Sequence, residues 1–211
     1  DSELKYHLET MLSAAVLAVP ELLESGYLKK VNGVAEKLKV LIPFPETADL
    51  ASAKLRVSRW SEKEKNPDKD HLELSVSHGN SAVSLIAADA GLIKSGTSTL
   101  EAGLLKCPHV VVYRPSRTGI WIYRNVMRYK GFVGLVNLIS GKIVPEVLCE
   151  EVTPELLSKH VVMLLTHHET RKQMLEGFEK LRIGIRSGDR SPSAYAAEEV
   201  LAVARTGWLA N

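Results

Sequence analysis

Ala88-Asp89-Ala90-Gly91-Leu92-Ile93-Lys94-Ser95-Gly96-Thr97-Ser98-Thr99-Leu100-Glu101 is a short apolar run that ends in a small, hydroxyl-rich turn and then opens a helix. In a parallel sheet the carboxyl end of a strand meets the amino end of the next helix, where unpaired N–H groups and the helix dipole favour an anion. Gly96 lets the backbone come close, and Ser95, Thr97, Ser98 and Thr99 add hydroxyls. Glu101 falls in the first helical turn, where a carboxylate can accept hydrogen bonds from a vicinal diol such as a ribose. The same residues also read as a capped helix after a buried strand, with Thr97 or Ser98 as the cap and Glu101 completing a capping box.

Outward from this turn the pattern repeats. Apolar runs at 39–43, 72–76 and 110–113 read as further strands, and 47–60, 80–88 and 98–105 as helices, the first capped by Thr47. Strands alternating with helices predict an α/β fold with a Rossmann-like parallel sheet and helices on both faces. A helix from about Ser2 to Ala18 precedes them, with Pro20 disturbing its end; 21–37 reads as helical or irregular, and 61–70 as a charged loop. The glycine-punctuated apolar stretch 131–142 reads as a strand ending in Asn137. Beyond Val144 the pattern turns helical, at 145–148, 153–165, 169–181 and 192–203. The expected division is a nucleotide-binding Rossmann-like domain at 1–144 and a helical carboxyl-terminal segment at 145–211, packed on this domain or on a partner.

A chain of 211 residues can bury a full core. A formal charge of +2 with 25% charged residues gives no overall nucleic-acid signature. Cys107 and Cys149 lie far apart in sequence and read as reduced thiols in a cytoplasmic protein. No apolar run reaches the roughly 18 residues that span a bilayer, and no signal-peptide pattern opens the chain. Asp1-Ser2-Glu3-Leu4 already resembles the first turn of a helix and no Met precedes it, so the chain is expected to be a fragment of something longer.

Between Ala102 and Pro145 stand Lys106, Arg114, Arg117, Arg124, Arg128, Lys130 and Lys142, without a single Asp or Glu. Arg114 follows the strand at 110–113 and is expected at the carboxyl edge of the sheet, where ligands bind in open α/β folds. The next helix mixes Arg117, Arg124, Arg128 and Lys130 with Trp121 and other apolar residues, a pattern suited to an anionic membrane surface. The competing reading is a sheet-covering helix whose arginines reach out to water. Asn137 is either a buried amide that reads a base edge or backbone, or a loop cap. His167 and His168 are adjacent and point different ways, so no metal site is expected, and no arrangement for nucleophilic catalysis can be assembled.

Four motifs in order carry a resemblance: Ser95-Gly96-Thr97-Ser98-Thr99-Leu100-Glu101, Lys106-Cys107-Pro108 with Val111-Val112-Tyr113-Arg114, Asn137-Leu138-Ile139-Ser140-Gly141, and Pro145-Glu146-Val147-Leu148. Together they resemble the carboxyl-terminal half of lipid-A-disaccharide synthase, most specifically between Ala88 and Leu148. The resemblance implies one half of a GT-B glycosyltransferase that moves 2,3-diacylglucosamine from a UDP donor to 2,3-diacylglucosamine 1-phosphate. It implies that Ser95, Gly96, Thr97 and Thr99 belong to the diphosphate turn, that Glu101 takes the ribose hydroxyls, and that Arg114 and Asn137 line the uracil side. It further implies no cofactor and no metal, a peripheral place on the anionic inner-membrane surface, and a homodimer among the assemblies it allows. Cys149 stands where the family usually has Gln. The family's first strand and glycine-serine-arginine loop, and the acceptor half with its general base, are absent, so the chain is not expected to turn over alone. A non-catalytic nucleotide-sugar binding module and a peripheral membrane docking module are the alternatives from other classes.

Overall fold

The computed structural model describes residues 2–31, 33–115, 131–185 and 191–206. Helix α1 (Ser2–Glu24) runs straight through Pro20 rather than ending before it. Proline lacks the N–H that would bond one turn back, but Val19 and Leu22 on either side are fully buried, and their burial outweighs the lost bond. A two-residue hairpin, β1 (Lys30–Val31) with β2 (Val34–Ala35), follows where a helical or irregular segment was expected.

Two parallel sheets carry the rest. Strand β3 (Leu38–Phe44) pairs with β4 (Leu72–His78), in register from Leu38 opposite Leu72 to Phe44 opposite His78. Their crossover is α2 (Leu50–Lys63), capped by Asp49 instead of Thr47: its carboxylate accepts from the N–H groups of Ala51 and Ser52 at 3.0 and 3.4 Å. The second sheet has the order β5 (Gly91–Lys94), β6 (His109–Tyr113), β7 (Glu146–Leu148). The other α-helices among the described residues are α3 (Ser81–Ala87), α4 (Thr97–Leu104), α5 (Leu135–Ser140), α6 (Pro154–Thr166), α7 (His168–Ile185) and α8 (Pro192–Thr206). This is the expected α/β architecture of parallel sheets flanked by helices.

Two local expectations are corrected. Residues 145–148 are not helical: Glu146–Leu148 is a strand, because Val111, Val112 and Tyr113 offer a free parallel edge that a three-residue segment can join. Residues 131–140 are not a strand: the chain turns through 131–134 and then forms α5, burying Val136 and Asn137.

One core joins β5–β6–β7 to α1, α5, α6 and α7. Val110, Val111, Val112, Val136, Leu157 and Phe178 in it are fully buried. At the amino end of β6, His109 is also fully buried and stacks on Phe178, with ring centroids 5.6 Å apart. Its Nδ1–H donates to the Cys107 carbonyl at 2.8 Å, which leaves the Nε2 lone pair without a partner among the described residues. Burial pushes the His109 imidazole down to about 4 and the Cys107 thiol up to about 11, so neither group is charged near neutrality. A second cluster lies over β3–β4, where Leu12, Val16 and Val19 of α1 meet Ile42, Phe44, Val57, Trp60 and Leu72. Helix α1 thus contributes to both cores. The described side chains of helix α8 are exposed, Tyr195, Val200, Leu201 and Val203 among them. Among the described residues no helix is long and apolar enough to cross a membrane.

Candidate functional site at the carboxyl edge of β5, β6 and β7

Strand β5 ends at Lys94, and the Ser95 N–H donates to the Val112 carbonyl at 2.9 Å, which holds the turn against β6. Gly96 then takes φ 152° and ψ −166°, a conformation closed to residues with a Cβ, and α4 starts at Thr97. No side chain caps α4, so the capping box considered from sequence does not form. Thr99 is fully buried, and its hydroxyl and N–H both bond the Gly96 carbonyl, at 2.8 and 3.2 Å. Its hydroxyl is therefore spent on shaping the turn. Ser95 Oγ likewise donates its one proton, to the Val133 carbonyl at 2.7 Å. Among the described residues, the N–H groups of Gly96, Thr97 and Ser98 meet no acceptor, and all three residues are exposed. The half-buried Glu101 sits one turn up the same helix.

Arg114 leaves the end of β6 at the same edge. Its N–H donates to His7 Nε2 at 3.1 Å, and its guanidinium lies 4.1 Å over the Tyr6 ring, bonded to the Tyr6 hydroxyl. The Tyr6 hydroxyl donates in turn to the Val152 carbonyl at 3.1 Å. The second turn of α1 is thereby tied to the mouth of the sheet.

The third wall is 131–134. Glu146 at the start of β7 accepts from the N–H of Val133 at 2.9 Å and of Gly134 at 3.0 Å. A Cβ on Gly134 would stand 2.8 Å from Val111 Cγ2, so only glycine lets this segment approach β6 so closely. Asn137 is buried, with its amide nitrogen donating to the Val144 carbonyl and to Glu146, both at 2.9 Å. Its oxygen accepts from the N–H of Ile143 and Val144 at 2.8 and 3.0 Å, so the side chain is engaged within the chain at both ends.

The structure therefore gathers Ser95, Gly96, Thr97, Thr99, Glu101, Arg114 and Asn137 around one edge. It adds Tyr6, His7 and Glu146, which sequence reasoning missed. Tyr6 and His7 look like ordinary positions of an amphipathic helix, and nothing in the sequence sets Glu146 apart from a surface carboxylate. Arg117, Trp121, Arg124, Arg128 and Lys130, the membrane-contact candidates, lie outside the described residues. Two cavities, of about 150 Å³ beside Glu9, Trp60, Lys63 and Glu64 and of about 510 Å³ between Lys106 and α7, contain none of the gathered residues. No group of three or more His, Cys, Asp or Glu that could hold a metal ion occurs among the described residues.

Chemically, the edge presents N–H donors unpaired among the described residues and a helix N-terminus for an anion, the Glu101 carboxylate 5 residues beyond Gly96 for hydroxyls, and a guanidinium held against Tyr6. Comparison with known proteins places most of these residues within one family match. The family model for lipid-A-disaccharide synthetase matches residues 29–200. The lipid-A-disaccharide synthase of Saccharophagus degradans is 34% identical over 169 residues, 80% of this chain and 41% of that protein. The synthase of Myxococcus xanthus is 32% identical over 184 residues, 87% of this chain and 44% of its own length. That of Bradyrhizobium diazoefficiens is 30% identical over 207 residues, or 98% and 47%. The chain thus spans less than half the length of these curated relatives.

Proposed function

Since the chain belongs to the lipid-A-disaccharide synthetase family, we propose that it is the donor-binding half of a glycosyltransferase of lipid A biosynthesis. The reaction transfers 2,3-diacylglucosamine from UDP to 2,3-diacylglucosamine 1-phosphate, forming the disaccharide 1-phosphate and releasing UDP. One observation carries the reading: the N–H groups of Gly96, Thr97 and Ser98, unpaired among the described residues, open a helix at the carboxyl edge of a parallel sheet, with Glu101 one turn above them.

The diphosphate rests on those N–H groups, and the charge that develops as UDP leaves is stabilised by fixed dipoles rather than by reorganising water. Glu101 accepts hydrogen bonds from the ribose hydroxyls, and Arg114 lies on the base side of the donor. Ser95 and Thr99 hold the turn with their hydroxyls. The general base and the acceptor site are assigned to the other half of the GT-B enzyme. The acyl chains of both substrates give the basic, aromatic segment from Arg117 to Lys130 a reason to rest on the anionic inner-membrane surface from the cytoplasmic side.

Titration with UDP in the presence of a chelator tests the reading. Saturable binding is expected, weakened by Glu101→Ala by about 1–3 kcal/mol, the scale of a lost charged hydrogen bond. Absence of saturable binding, or equal affinity in Glu101→Ala, would falsify it.

A further inference from the structure

Segment 131–134 belongs to no helix or strand, and two of its backbone N–H groups are satisfied by one side chain. Glu146 receives Val133 on one carboxylate oxygen and Gly134 on the other, at 2.9 and 3.0 Å, and Asn137 donates to the second oxygen at 2.9 Å. Asn137 in turn fixes the connection from α5 to β7 through the backbone of Ile143 and Val144. The loop passes its position on, because the Val133 carbonyl is where the Ser95 hydroxyl lands, immediately before Gly96 with its positive φ.

We propose that Glu146 and Asn137 are a positioning pair that sets the diphosphate turn at a distance, through 131–134 and Ser95. The proposal rests on the donor-site reading above. It replaces the expected contact of Asn137 with the uracil by an indirect role, since both ends of the amide are already engaged inside the chain. It also gives a carboxylate near an anion site a reason to be there: three donors converge on Glu146 and fix its charge away from the N–H groups left for the ligand. A glutamine of the same size cannot replace it. Its NH2 would face the N–H of either Val133 or Gly134, donor against donor, so the loop loses one anchor while the volume is kept.

Calorimetric titration of the chain with UDP and, separately, with uridine isolates the effect, because only UDP reaches the turn. For Glu146→Gln, UDP affinity is expected to fall about tenfold while uridine affinity stays within about twofold. The amide hydrogens of Val133 and Gly134 are expected to exchange faster than in the unmutated chain. Unchanged UDP affinity, or an equal loss for both ligands, overturns the positioning role and leaves the donor site standing. Failure of the unmutated chain to bind UDP overturns the donor site and the pair together. Should Glu146→Gln fold poorly, Ser95→Ala carries the same test with one hydroxyl removed. UDP affinity is then expected to fall about threefold with uridine unchanged, and equal UDP affinities overturn the proposal.

Discussion

Strands β3–β4 and β5–β6–β7 share helix α1 and the same parallel pairing, yet they are covered to different depths. In β6 the run His109-Val110-Val111-Val112 is fully buried on both faces, whereas β3 alternates, with Ile42 and Phe44 inside and Leu41 41% exposed. The sequences state the contrast in advance: His-Val-Val-Val-Tyr is continuous, and Leu-Lys-Val-Leu-Ile-Pro-Phe places Lys39 and Pro43 on the outer face. The candidate site lies on the half packed from both sides. A turn that must present bare N–H groups in one geometry gains its precision from the rigid strands beneath it.

The sharpest way to break this comparison is to remove one large side chain from each half. Phe178→Ala empties the space beneath His109 and the β6 valines and is expected to cost about 3–5 kcal/mol. Leu41→Ala, on the open face of β3, is expected to cost less than about 1 kcal/mol. Urea unfolding of both variants measures the difference, and similar costs would mean that the two halves are equally well covered.

Acid sharpens it next. The His109 imidazole titrates near its ordinary value in the unfolded chain but only at about 4 when folded, because burial disfavours the charged form. The unfolded state therefore binds more protons between about pH 6.5 and 4, and stability falls as pH drops through that window, by about 3 kcal/mol in all. His109→Phe keeps a ring against Phe178 and should flatten the dependence of Tm on pH over this interval. A slope as steep as that of the unmutated chain would place the acid sensitivity elsewhere.

The smallest effect is expected on the shallow half. Asp49→Ala removes the cap of α2 and should lower Tm by a few degrees with UDP affinity unchanged, since α2 packs on β3–β4 and not on the site. A change in UDP affinity measured by calorimetry would show the two halves to be coupled.

Much of the fold is legible locally. The apolar run before the Ser95 turn forms strand β5, β6 differs from the expected 110–113 by one residue, and α6 begins one residue inside the expected 153–165. Where two residues could serve the same local role, the sequence does not choose. Thr47 and Asp49 can both cap a helix, and it is the Asp49 carboxylate that meets the N–H groups of Ala51 and Ser52. Pro145-Glu146-Val147-Leu148 carries too few residues for a period to separate helix from strand, and pairing with Val111–Tyr113 settles it. The glycine-punctuated stretch after 131 failed for the same reason: its apolar residues suit either state, and the close approach of Gly134 to Val111 directs the chain into a turn and a short helix.

Of the candidate site, the sequence by itself determined the turn at Ser95–Thr97 and its place between a strand and a helix. Hydrophobic periodicity and the conformational freedom of Gly96 are properties of neighbouring residues, readable without a fold. Only the tertiary structure decided that the Ser95 hydroxyl is spent on Val133, that Arg114 rests on Tyr6 and His7 more than a hundred positions away, and that Glu146 and Asn137 brace the loop between them. Hydrogen-bond partners are chosen by proximity in space, and buried donors and acceptors must find them wherever the chain has folded.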